Sequence, residues 1–161
     1  MSNTITYLGK QLRARTRASL RTRGAFCECC VNRDRLAFFV SGGISIPEKV
    51  KATDLHELIR KGNIPRFKQE VLFMRGNVLF LCKACHTDAA WAIHGTAPDL
   101  WAIPLLLLVR SKKEIKEFID KYHDTFKLDH PFIKLVQEAQ ATAAEKEYQD
   151  AVHYHQRDRT L

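Results

Sequence analysis

The chain has 161 residues, 45% of them apolar and 27% charged, with a net charge of +8 and a pI near 9.4. Such a length supports one domain, or one small domain with an extension; the longest apolar run, Leu105 to Val109, is far too short to span a bilayer, and the amino terminus carries no apolar signal core. The basic excess points to a polyanion partner, with nucleic acid the first choice, and five cysteines, four of them in CxxC pairs, indicate metal binding in a reducing compartment rather than a disulfide framework.

Residues 5–23 read as a basic helix with a sparse Leu8, Leu12 and Leu20 stripe, ended by Gly24. Arg13, Arg17 and Arg21 on it are candidates for backbone phosphate contact, because a guanidinium can grip phosphate bidentately. Phe26-Cys27-Glu28-Cys29-Cys30 follows as a zinc knuckle, in which Cys27 and Cys30 have ligand spacing and Cys29 is a bystander. Leu36 to Val40 is strand-like, Ser41-Gly42-Gly43 is a turn, and Ile44 to Lys51 is a second extended piece interrupted by Pro47.

Thr53 to Ile59 reads as the next strand, with Leu55 and Leu58 bracketing His56 and Glu57. Residues 60–76 are basic and irregular, broken by Gly62, Pro65 and Gly76, with a short helix near 66–73; Arg60 and Arg75 are further phosphate contacts. Asn77 precedes Val78 to Leu81, the second strand of a hairpin. Cys82 and Cys85 then lead into a helix over roughly 84–94 that carries His86. His94, two turns further along that helix, reads as a structural histidine rather than a third ligand.

Pro98 and Pro104 break the next segment, whose leucines fit an ordinary core. Ser111 and Glu114 form a capping box opening a helix to about 124, with Ile115, Phe118, Ile119 and Tyr122 on its apolar face. Asp129 caps a last helix with Pro131 in the first turn and a stripe of Phe132, Leu135, Val136, Ala139 and Ala143. His123, His130, His153 and His155 have no partner at motif spacing.

Cys27, Cys30, Cys82 and Cys85 are a full ligand set for one tetrahedral structural Zn²⁺, which leaves Asn77, His56 and His86 surplus to it. Together these seven residues resemble the HNH (ββα-metal) nuclease family in its zinc-stapled form, across roughly residues 20–95. The fold expected is α+β: a small ββα-metal core with a structural zinc over 25–95, preceded by the basic helix (1–24) and followed by a helical extension (96–161).

The resemblance implies a metal-dependent endonuclease that hydrolyses phosphodiester bonds in DNA and leaves a 5′-phosphate. In that family a first-strand residue and the His86 equivalent bind one divalent ion. A neighbouring first-strand residue acts as general base, and the Asn holds that base in orientation. Two registers are open. If Leu58 takes the place of the family's apolar residue, His56 is the metal ligand and Glu57 the base. If His56 is the base, Asp54 is the ligand; two residues apart on a strand, they share a face. The catalytic set is therefore His56, Glu57, Asn77 and His86, with His56, His86 and, in the second register, Asp54 on the ion.

The catalytic ion expected is Mg²⁺ or Mn²⁺, although oxygen plus imidazole also admits Zn²⁺ or Ni²⁺. The same resemblance places the protein in the cytoplasm of a bacterium, encoded there or by a phage, with no membrane partner. The alternative is a catalytically inactive zinc module that binds nucleic acid or a polymerase-type protein. A third reading is an interaction protein docking a partner through its C-terminal helices.

Overall fold

The computed structural model describes residues 25–59 and 66–158. The basic segment with Arg13, Arg17 and Arg21, and also Arg60, lies outside the described residues. The chain divides into two compact units, one ending at Leu128 and one beginning at Asp129.

The first unit is mixed helix and sheet. Helix α1 (Glu28–Asn32) and helix α2 (Ala37–Ser41) are followed by strand β1 (Asp54–Glu57) and strand β2 (Val78–Leu81). The strands pair antiparallel, with Asp54 opposite Leu81, His56 opposite Leu79 and Glu57 opposite Val78. Two 3₁₀ segments, Arg66–Phe73 and Arg75–Asn77, lead into β2, and a π-helical turn, Ala84–Asp88, follows it. Helix α3 (Ala102–Val109) and helix α4 (Lys112–Phe126) complete the unit. The boundary drawn at 95/96 from sequence thus falls inside one compact unit. The second unit contains helix α5 (Pro131–Asp158).

Three local expectations change. Leu36 to Val40 is not a strand: α2 occupies it, with Phe39 buried and Val40 exposed. With no strand beside it among the described residues, the segment satisfies its own backbone donors: Phe39 and Val40 donate back to Leu36 while Gly42 donates to Phe38. Residues 84–94 are not one helix. The π turn ends at Ala89, whose backbone is extended (φ −92°, ψ 160°), and Ile93 returns to donate to the Cys85 carbonyl at 3.0 Å.

Nor does Pro104 break its segment. It is the third residue of α3, where a helix has no intrahelical use for the N–H that proline lacks. The fold accordingly buries Trp101, Ile103, Leu105 and Leu106 with Leu36, Leu72, Leu79 and Leu81. Trp101 stands 5.8 Å from Phe39 between ring centroids, and its indole N–H donates to the Trp91 carbonyl at 3.1 Å.

The α4 capping box forms as the sequence requires: Ser111 accepts from the Glu114 amide, and Glu114 accepts from the Ser111 amide. At the start of α5 the His130 Nδ1 accepts from the Phe132 amide at 3.1 Å. Among the described residues no helix is long and apolar enough to cross a membrane.

Candidate metal centres

Two clusters with metal-ligand chemistry meet at the π turn that follows β2, where Cys85 belongs to one and His86 to the other. The first is Cys27, Cys30, Cys82 and Cys85, all buried, with their sulfurs within 4.8 Å of one another. Cys27 is the N-cap of α1 and Cys30 lies within it, and Cys82 and Cys85 follow β2 into the π turn. The Cys30 sulfur lies 3.8 Å from that of Cys82 and 3.7 Å from that of Cys85. Zn–S bonds of about 2.3 Å in a tetrahedron set the sulfurs about 3.8 Å apart, whereas a disulfide needs about 2.05 Å. The four residues fit a structural metal ion of this kind. Cys29 is also buried but is not one of the four.

Thiol electrostatics point the same way. Cys27 is held well below the ordinary thiol value by hydrogen bonds from Cys30 and Cys85. Cys30 and Cys85 are pushed far up, foremost because they hydrogen-bond to Cys27. Four thiols this close share protons unless a cation compensates their charge, which is what a divalent ion does in such a nest.

The second cluster is His56, His86 and His94, whose ligating nitrogens also lie within 4.8 Å. Ring centroids are 5.2 Å apart for His56 and His86, 4.9 Å for His56 and His94, and 4.8 Å for His86 and His94. The Nε2 atoms of His86 and His94 are 3.0 Å apart. Imidazole nitrogens on one tetrahedral ion sit about 3.3 Å apart, so the three fit a shared divalent ion. His56 is buried, His86 half-buried and His94 exposed, so the cluster opens to solvent on one side.

The strand decides which neighbours join. Alternation puts Asp54 and His56 on one face of β1 and Glu57 on the other. Oδ2 of Asp54 lies 3.7 Å from Nδ1 of His86, across the ring from the Nε2 that meets His94. Asp54 therefore stands behind His86 rather than among the three clustered nitrogens, a place from which a carboxylate can orient a histidine that holds a metal. Glu57, expected beside His56, is on the opposite face.

Asn77 is wholly buried and uses its amide as a clamp. Its Oδ1 accepts from the Ile59 amide at 2.8 Å, and its Nδ2 donates to the Leu72 carbonyl at 2.8 Å and the Ile59 carbonyl at 3.4 Å. Its backbone carbonyl takes the Leu58 amide at 2.9 Å. Asn77 thus fixes the chain as it leaves β1, just past His56. Arg75, read as a phosphate contact, pairs with Glu114 at 2.9 Å but keeps about half its side chain exposed.

His94 is the site residue that sequence reading set aside. In a regular helix a residue eight positions on lies about 12 Å along the axis. Only the break at Ala89 returns it to His86, and nothing in the local pattern announces that break. No protein-family model, curated protein or solved structure matches this chain.

Proposed function

We propose that the chain is a metal-dependent endonuclease of the HNH, ββα-metal kind, hydrolysing phosphodiester bonds in DNA. The observation that carries this reading is the meeting of His56 from β1 with His86, next to a zinc-type Cys85, while Asn77 clamps the chain just beyond His56. The opening of the cluster at exposed His94 suits a polymer backbone presented at the surface, and the charge of +8 suits a polyanion.

His56, His86 and His94 hold the catalytic ion in this proposal, and Asp54 orients His86. Mg²⁺ prefers an all-oxygen shell, so three imidazoles favour Zn²⁺, Ni²⁺ or Co²⁺ over the Mg²⁺ or Mn²⁺ expected from sequence. Such an ion supplies positive charge to the phosphodiester and a more acidic water. Structural Zn²⁺ belongs to the four cysteines.

The placement of Glu57 on the far face favours a second reading, a zinc module that binds nucleic acid without cutting it. A plasmid-nicking assay separates the two, run with Zn²⁺, Ni²⁺, Mg²⁺, Mn²⁺ and chelator on the parent and on His56→Ala. Nicking that needs both the ion and His56 supports the nuclease. DNA retention without nicking under every ion supports the module.

A further inference from the structure

Arg110 is a buried arginine between the last residue of α3 and the cap of α4, with its side chain about 1% exposed. All five of its N–H donors are used. Nη1 and Nη2 grip the two carboxylate oxygens of Glu28 at 2.6 and 2.9 Å. Nη2 also donates to the Val78 carbonyl at 2.8 Å, Nε to the Arg75 carbonyl at 2.9 Å, and Nη1 to the Val109 carbonyl at 3.1 Å. Glu28 in turn accepts from the Phe80 amide at 2.9 Å, and the guanidinium lies 5.4 Å from the Phe80 ring centroid.

The carbonyls of Arg75 and Val78 bracket Asn77. Glu28 stands between Cys27 and Cys30. The guanidinium therefore ties the two sides of the Asn77 turn to the cysteine knuckle, from the face of β2 opposite His56, since Phe80 and Leu79 point apart. Burying a charge this deeply costs stability unless every group is satisfied, and only the planar five-donor fork of arginine meets these acceptors together.

We infer that Arg110, held by Glu28, is a positioning residue. It fixes the Asn77 turn and, through the Asn77 grip on Ile59, the angle at which β1 delivers His56 to the three-histidine cluster. The α3–α4 segment is then a working part of the site. The effect on ion binding rests on reading the three histidines as a metal centre; the effect on the turn does not.

The test uses the full chain with its four-cysteine zinc loaded, as parent, Arg110→Lys and Glu28→Gln. Three quantities are read: exchange of the Ile59 amide by NMR, Co²⁺ affinity and visible spectrum at the histidines, and the split of nicking between kcat and KM. Arg110→Lys should retain zinc, speed Ile59 exchange about tenfold or more, weaken Co²⁺ about tenfold with an altered spectrum, and lower kcat at unchanged KM. Should Arg110→Lys not fold, Glu28→Gln, which keeps the size and one acceptor oxygen, is held to the same readouts. A zinc-loaded variant with parental Ile59 exchange and parental Co²⁺ affinity overturns the inference. A parent that takes up no Co²⁺ at the histidines overturns the metal-centre reading, while Ile59 exchange still decides the role of Arg110.

Discussion

Nε2 of His94 lies 3.0 Å from Nε2 of His86, although the two residues belong to different turns of the chain. Two ring nitrogens at that distance share one proton or one cation. His94→Ala should therefore weaken Co²⁺ or Ni²⁺ binding at the cluster by at least the roughly 10–100-fold seen for lesser, supporting partners of metal ligands. Isothermal titration of zinc-loaded protein measures it. An affinity unchanged in His94→Ala would remove His94 from the site and leave a two-histidine pair.

Cys82→Ser should abolish cooperative folding rather than chemistry alone. Its sulfur is one of four within 4.8 Å, and structural Zn²⁺ contributes on the order of 10–16 kcal/mol in small domains. Zinc content and thermal unfolding with and without chelator report it. A Cys82→Ser protein that is folded, zinc-free and melts like the parent would show that the four sulfurs do not staple the unit.

Gly76 shows how closely α4 seats behind the Asn77 turn. A Cβ there would lie 2.6 Å from the Glu114 carbonyl oxygen and 2.6 Å from Phe118 Cβ. Gly76→Ala should cost about 1–3 kcal/mol, as overpacking of a fitted contact does. The urea midpoint of unfolding measures it, and a parental midpoint would mean the contact yields freely.

Glu114 gives a pH dependence of known sign. Its carboxyl is held below the ordinary 4.5, foremost by the Ser111 amide and then by the Ser111 hydroxyl and Arg75. A depressed carboxyl contributes stability above its unfolded value, and the contribution is lost as pH falls through the folded value. Being partly exposed, the cap is screened and contributes roughly 0.5–1 kcal/mol. Glu114→Gln should lower the urea midpoint at pH 6, and by less as the pH falls toward the folded value. A loss that stays the same as the pH falls would assign the effect to packing instead of charge.

The parts legible in the sequence are those whose signal is local. CxxC spacing marks the four sulfurs, the Ser111–Glu114 box marks the start of α4, and strand alternation puts Asp54 beside His56. What escaped is set by partners far along the chain. His94 returns through a wide π turn and an extended Ala89. Arg110 is 82 residues from Glu28. Leu36 to Val40 has strand composition but no strand to pair with among the described residues, and it coils into α2. Pro104 has the composition of a breaker but the position of a tolerated first-turn residue.

Because each N–H of Arg110 is already committed inside the fold, that side chain has nothing left to offer a phosphate. It counts toward the net charge of +8 but has no part in the counterion release that binding to a polyanion brings. On the proposal that DNA is that polyanion, the steepness with which added salt weakens association should be the same for a folded Arg110 variant as for the parent, whereas loss of a surface arginine that meets the backbone would flatten it.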